Sequence, residues 1–262
     1  MVLCLARRLG KRKQQPREEY MLKEREKIDA GIFEPRTMVR LGKFFNKGVV
    51  SGMGHIIARG KEADIYLAEP GASGKVKDMA GVVLKIFRIE TSSFYKMADY
   101  INGDPRFSKV SSSKYGIVME WCRKEYGNMV LARGAHVNVP LPIMFNGNIL
   151  AMEFIGTKTG TPAPRLKEAM LDDPAGMLDA IMAEARKLYS AGLVHGDLSE
   201  YNVLVADGKP YIIDFGQAVM LKHPKSPEFL ERDVRNVLQY FRRAYGIETG
   251  YAAAIATVTG QR

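Results

Sequence analysis

His195-Gly196-Asp197-Leu198-Ser199-Glu200-Tyr201-Asn202, with Asp214-Phe215-Gly216 twelve residues further on, is the stretch from which the rest of this chain can be read. Between the two strings lie Asn202-Val203-Leu204-Val205 and Tyr211-Ile212-Ile213, β-rich runs joined by a turn containing Asp207-Gly208. That pattern predicts a hairpin that returns Asp214 to the neighbourhood of Asn202. A loop carboxylate and a loop amide five residues apart, joined by a second carboxylate, suit phosphoryl transfer. The reaction needs positioning and charge neutralisation by one or two Mg²⁺ ions more than covalent help, and Mg²⁺ takes oxygen ligands. Asp214 and the side-chain oxygen of Asn202 can supply two such ligands, which leaves Asp197 to orient and deprotonate an attacking hydroxyl. Each residue alone could be a turn or cap residue. The full string, with an apolar run before Asp214 and a glycine after it, favours the site.

Upstream, Asp173-Pro174 offers an N-cap and a first-turn proline to a helix carrying Met177, Leu178, Ile181, Met182, Ala185, Leu188 and Tyr189, ended by Gly192. That helix delivers the chain to His195. Residues 141–145 and 149–155 flank Asn146-Gly147, a two-residue hairpin signal. The second strand ends in Met152-Glu153-Phe154-Ile155-Gly156, where backbone groups of Glu153 and Ile155 could meet an adenine edge; a buried strand end is the plainer alternative. Residues 157–164, rich in Gly, Pro and Thr, read as a connector, and Gly156 as the hinge between two lobes.

Further back, residues 54–58, 63–68 and 81–87 predict an antiparallel meander. Lys85 sits inside the apolar run Val82-Val83-Leu84-Lys85-Ile86-Phe87, where its head group needs an acceptor or an opposite charge unless the strand is an edge turned to water. Residues 115–133 place Val118, Met119, Cys122, Tyr126, Met129 and Val130 at spacings of three and four, an amphipathic helix with Glu125 beside the apolar stripe. Glu125 could pair with Lys85 or lie on the surface. Residues 91–114 have weak periodicity and read as a mobile loop. In front of the strands, a charged helix is expected over 18–30 and a second short helix over 37–47, together forming an appendage.

The chain has 262 residues, 46% of them hydrophobic, and a net charge of +10, enough for one large domain or two lobes. No apolar run reaches the roughly 18 residues of a membrane span, and the N-terminal order of apolar then basic residues is the reverse of a signal peptide, so a cytoplasmic location is expected. Two cysteines, Cys4 and Cys122, and four scattered histidines support neither a disulfide framework nor a structural zinc. Residues 1–50 hold 13 Lys/Arg against 6 Asp/Glu and so +7 of the charge excess. Arg7, Arg8, Lys11, Arg12 and Lys13 precede any acid, a pattern suited to nucleic-acid phosphates or a ribosomal surface, or else a solvated tail.

With these residues assembled, the chain resembles a RIO-type atypical serine/threonine kinase of the first branch in its archaeal form. The marks are Gly60-Lys61-Glu62-Ala63-Asp64-Ile65-Tyr66, Gly103-Asp104-Pro105-Arg106-Phe107, Leu198-Ser199-Glu200-Tyr201-Asn202 and Ile213-Asp214-Phe215-Gly216-Gln217-Ala218-Val219. The resemblance implies an α+β, two-lobed protein-kinase-like fold: a small antiparallel-sheet N-lobe over 51–156, a truncated and mainly helical C-lobe over 157–262, and a basic helical extension over 1–50. It implies ATP with Mg²⁺, or Mn²⁺, and catalytic roles for Asp197 and Asp214, the latter able to carry an aspartyl-phosphate. Gly60, Lys61, Lys85, Glu125, Glu153, Ile155, Asn202 and Asp214 would line the nucleotide site, with Lys85 toward the phosphates and Asn202 and Asp214 on the metal. It further implies self-phosphorylation on serine and an ATP-hydrolysis cycle tied to precursors of the small ribosomal subunit.

Departures from ordinary protein kinases carry expectations of their own. Gly196 replaces the arginine of His-Arg-Asp, so no basic pocket awaits a phosphorylated activation loop. Only 16 residues separate Gly216 from Asp233, which leaves little room for a peptide-docking platform; Asp233 is expected to brace the catalytic loop or to be a plain helix carboxylate. The single Gly60 suggests that the charge of Lys61 shares the grip on phosphates. A small-molecule phosphotransferase of the aminoglycoside or choline kinase type, or an ATP-gated binding module, would use the same pocket.

Overall fold

The computed structural model describes residues 34–89, 97, 100–101, 103–104, 106–107 and 113–260. The helix expected over 18–30, the basic cluster before Glu18 and most of the loop expected over 91–114 lie outside them.

The five-stranded sheet is antiparallel throughout, in the order β1 (Val50–Arg59), β2 (Ala63–Pro70), β3 (Val82–Phe87), β5 (Ile149–Glu153) and β4 (Pro142–Asn146). All six residues of β3 are buried, and their alternation explains why. Val82, Leu84 and Ile86 join a core built with Met38, Leu41 and Phe44 of α1 (Pro35–Asn46). Val83 and Phe87 face the other core, shared with Val118, Cys122 and Met129 of α2 (Lys114–Gly134). A strand covered on both faces reads as an unbroken apolar run, and Lys85 stands on the α2 side of it.

The helix expected over 37–47 thus forms as α1, but it packs into the sheet's own core instead of standing off as an appendage. It is also pinned by polar contacts: the Arg40 guanidinium donates to Asn148 Oδ1 at 2.6 Å, and Asn148 Nδ2 donates to Thr37 Oγ1 and to the Phe87 carbonyl.

Two turn readings differ in outcome. The hairpin of β7 (Val203–Ala206) and β8 (Lys209–Ile212) turns at Asp207-Gly208 as expected, both residues at positive φ, between Ala206 and Lys209. The β4–β5 hairpin turns one residue later than expected, at Gly147-Asn148, since Asn146 still pairs with Ile149. Only Gly147 has positive φ there (+63°), the pattern of a II′ turn, which asks for glycine at its first central position. A bridge pairs Gly156 with Pro162, and a Cβ there would collide with the Thr161 carbonyl oxygen.

The second half is mainly helical, with α3 (Pro174–Ser190), α4 (Ser226–Tyr245) and α5 (Tyr251–Thr259) and two two-stranded antiparallel sheets, β6 (Leu193–Val194) with β9 (Val219–Met220) and the β7–β8 hairpin. Asp173 caps α3, accepting from the Gly176 N–H at 2.9 Å, with Pro174 opening the first turn. The architecture is the expected α+β fold in two lobes. Among the described residues, no helix is long and apolar enough to cross a membrane.

Candidate active site

The β7–β8 hairpin does what its sequence requires. Val203 pairs with Ile212, and the Ile213 N–H donates to the Asn202 carbonyl at 3.0 Å, so the next residue, Asp214, emerges beside the catalytic loop. Asn202 Nδ2 donates to the Asp197 carbonyl at 2.8 Å and to Asp197 Oδ2 at 3.1 Å. With the amide nitrogen committed, the side-chain oxygen is the atom that remains for a cation. Gln217 Nε2 donates to the same Asp197 Oδ2 at 3.1 Å, so both amides fall on one oxygen of the carboxylate.

Asp214 adopts a left-handed backbone (φ +66°), a conformation that Asp tolerates better than most residues. Its carboxylate accepts from Lys85 Nζ at 3.0 Å. Lys85 also donates to both oxygens of Glu125, at 2.8 and 2.9 Å, and Glu125 is 1% exposed. The lysine in the apolar strand therefore has two carboxylate partners, one from α2 and one from the loop that follows β8, and Glu125 is not a surface residue.

Burial would discharge Lys85, but Asp214 and Glu125 outweigh it and raise its pKa. Burial pushes Glu125 up to about 7 despite Lys85. Burial also opposes ionisation of Asp214, yet its side chain keeps 49% exposure in the cleft, and the Lys85 charge and hydrogen bond carry its pKa below the ordinary value. Asp197 moves the other way: burial and the Asp214 charge raise it, against Arg232 and the Asn202 bond. Two neighbouring carboxylates are thus driven apart, Asp214 toward the permanent anion and Asp197 toward the stronger base.

The catalytic loop is held from α4. Asp233 accepts from the Gly196 N–H at 2.7 Å and the Leu198 N–H at 2.8 Å, and burial pushes its pKa up to about 7. The neighbouring Arg232 donates to the Gly196 carbonyl and to the Tyr100 hydroxyl. His195 donates through Nε2 to the Ile213 carbonyl and accepts through Nδ1 from the Asp197 N–H; burial drops its pKa to about 4, so it is a neutral strut joining the two loops.

Gly196 is required by geometry: φ is +77°, and a Cβ would come within 2.9 Å of the Gln217 carbonyl oxygen. Gly196→Ala is expected to lose stability by roughly 1–2 kcal/mol from the left-handed backbone alone, read by thermal unfolding. Gly196→Arg, which restores the common His-Arg-Asp spelling, is expected to lower phosphoryl transfer. A gain in rate from either variant would contradict this.

The remaining nucleotide-site expectations fall at the mouth of the sheet. The Gly60 N–H donates to the Ala63 carbonyl at 2.9 Å, closing the β1–β2 turn, with Lys61 exposed at its tip. This turn lies where Ala63 pairs with Phe87, two residues beyond Lys85. The Glu153 N–H donates to the Leu141 carbonyl, the Glu153 carboxylate accepts from the Leu141 N–H, and the Ile155 carbonyl accepts from the Ala163 N–H. Any adenine edge would thus meet the other two groups, the Glu153 carbonyl and the Ile155 N–H.

A model of the RIO domain matches residues 64–253, most of the chain. The chain belongs to the RIO family of serine/threonine kinases. Similar RIO kinases named Rio1 come from Haloferax volcanii, 39% identical over 242 residues (91% of this chain, 81% of the relative), and Thermoplasma acidophilum, 47% identical over 168 residues (64% and 88%). A third, from Methanocaldococcus jannaschii, is 36% identical over 232 residues (88% and 76%). Among solved structures, the Rio2 kinase from Chaetomium thermophilum in an ADP/Mg²⁺-phosphoaspartate complex superposes with a TM-score of 0.63 at 26% identity, covering 84% of this chain and 65% of that one. This RIO chain is therefore a protein kinase by family, and the small-molecule phosphotransferase reading is set aside.

Four site residues of this RIO chain escaped the reading of its sequence for function: Gln217 on Asp197, Arg232 on Gly196, and Lys124 and Asn128, whose partners are described below. Val130, taken for part of the apolar stripe of α2, is instead 44% exposed, while the polar Lys124, Glu125 and Asn128 are buried.

Proposed function

We propose that this kinase binds ATP with Mg²⁺, or Mn²⁺, in the cleft between its lobes, phosphorylates serine on itself or on a protein, and hydrolyses ATP in a cycle tied to maturation of the small ribosomal subunit in the cytoplasm. The observation that carries the reading is the convergence of Asp197, Asn202 and Asp214 around one cleft, with Lys85 aimed into it by Glu125. The donor set, a half-exposed carboxylate and an amide oxygen, suits a hard cation that keeps part of its water shell. Bound there, Mg²⁺ would neutralise charge on the phosphates.

The chain's own groups do the rest. Lys85 meets the α- and β-phosphates, the Glu153 carbonyl and Ile155 N–H take the adenine edge, and Gly60 and Lys61 close over the tail. Asp197 receives the proton of the acceptor hydroxyl through Oδ1 while Asn202 and Gln217 fix its other oxygen. The Rio2 complex with phosphoaspartate supports Asp214 as the place of an aspartyl-phosphate. The basic N-terminal segment supplies contact with the ribosomal precursor.

The test is labelling by Mg-ATP, with ATP turnover measured in the presence and absence of small-subunit precursor particles. Label on serine and a turnover rate altered by particles are expected; no protein label and no response to particles would overturn the reading. Its pH profile is a second check. Asp197 must be ionised to act, and its pKa is raised, so kcat/KM should fall as pH drops through a limb above the ordinary aspartate value of 3.8. A limb at or below 3.8 would remove Asp197 as the base.

A further inference from the structure

The loop that carries Asp214 has no sheet or helix of its own between Phe215 and Ala218, yet its carbonyls are buried and must find donors. They find them on α2. Lys124 Nζ donates to the carbonyls of Gly216 (2.9 Å) and Ala218 (2.5 Å), and Asn128 Nδ2 donates to those of Phe215 (2.9 Å) and Ala218 (2.8 Å). Both side chains are 0% exposed. Asn128 Oδ1 in turn accepts from Arg106 Nη2 at 2.7 Å, and Arg106 is paired with the buried Asp104 at 2.6 Å.

A lysine buried without a carboxylate bonded to it is an expensive way to fill a helix face, since an apolar residue of similar length would fill the same volume. What the apolar residue could not do is hold two carbonyls of an irregular loop at once. The neighbouring turns of α2 carry Glu125, which orients Lys85. One rigid helix thereby sets both ends of the Lys85–Asp214 pair. Between the clamped carbonyls, the side chain of Gln217 projects the other way, onto Asp197.

We propose that Lys124 and Asn128, backed by Arg106 and Asp104, are positioning residues that clamp the 215–218 loop and so fix Asp214 for the metal. The proposal rests on the reading of Asp214 as a metal ligand. It assigns to the Gly103–Phe107 motif a task that the nucleotide site itself leaves unexplained.

Trp121, the protein's single tryptophan, provides a built-in reporter: Lys124 Nζ lies 5.4 Å from its ring centroid, and Gly216 packs so closely that a Cβ would come within 2.8 Å of the ring. The experiment compares Lys124→Met and the milder Asn128→Ser with the unsubstituted protein. Binding of a fluorescent ADP analogue is titrated with Mg²⁺ and repeated in EDTA, and Trp121 emission and acrylamide quenching are recorded alongside. Removing a residue that orients a metal ligand is expected to raise the half-saturating Mg²⁺ concentration by about 10–100-fold. Metal-independent ADP binding should stay as it was, and Trp121 should become more accessible to quencher. If Lys124→Met does not fold, Asn128→Ser carries the test. An unchanged Mg²⁺ requirement in a folded variant, with only a lower melting temperature, would overturn the clamp and leave the metal site standing. Binding that ignores Mg²⁺ in the unsubstituted protein would overturn the metal reading of Asp214, and the clamp's role with it.

Discussion

Asp197→Ala should lower phosphoryl transfer by about 10²–10⁴-fold, the usual contribution of a positioned general base, while nucleotide binding persists. The expectation follows from the geometry of one carboxylate. Asp197 Oδ2 is occupied by the amides of Asn202 and Gln217, so the residue is oriented by its neighbours and acts through Oδ1. The Lys85–Glu125–Asp214 group keeps its bonds without it, and Asn202 keeps its bond to the residue's backbone carbonyl, so the grip on the nucleotide survives its loss. Labelling rate and ADP affinity, measured on one preparation, separate the two effects. Equal losses in both would show that Asp197 holds the fold of the site and not the proton.

The second large effect concerns stability. Lys85→Met leaves Glu125 ionised or protonated in a site with 1% exposure and no countercharge bonded to it, and breaking such a buried pair costs about 3–5 kcal/mol. Adding Glu125→Leu removes the orphan. The double variant Lys85→Met/Glu125→Leu is expected to regain most of the lost stability, because well-packed apolar replacements of buried pairs are often neutral or stabilising. Activity should not return with it, since no ammonium then faces the phosphates. Chemical denaturation and labelling of the two variants check this; a double variant as unstable as the single one would mean that Lys85 stabilises through Asp214 alone.

What could be read in advance had local chemistry behind it. The β7–β8 hairpin is written in Asp207-Gly208, whose two positive φ angles only such residues accept easily, and the position of Asp214 beside Asn202 follows from it. The apolar run of β3 made Lys85 conspicuous. Harder to see were contacts that depend on what packs against a face. Periodicity marks α2 as amphipathic and puts Val130 in its apolar stripe, yet Val130 is exposed, while the polar Lys124 and Asn128 are buried against the 215–218 loop, some ninety residues away in sequence, whose carbonyls take their hydrogen bonds. The one-residue offset of the β4–β5 turn has a similar origin: Asn148 is drawn inward by Arg40 and Thr37 of α1, a helix that sequence order alone places outside the lobe.

One further consequence lies in the brevity of the path from Gly216 to α4, which consists of Gln217 and Ala218, the two-residue strand β9 and a turn at His223. Ordinary kinases lay an incoming polypeptide along a long ribbon at this point and sample its side chains one by one. Among the described residues nothing between Gly216 and α4 forms such a ribbon, so under the proposed serine phosphorylation selectivity would come from delivery, the hydroxyl tethered nearest to the cleft being the one that reacts.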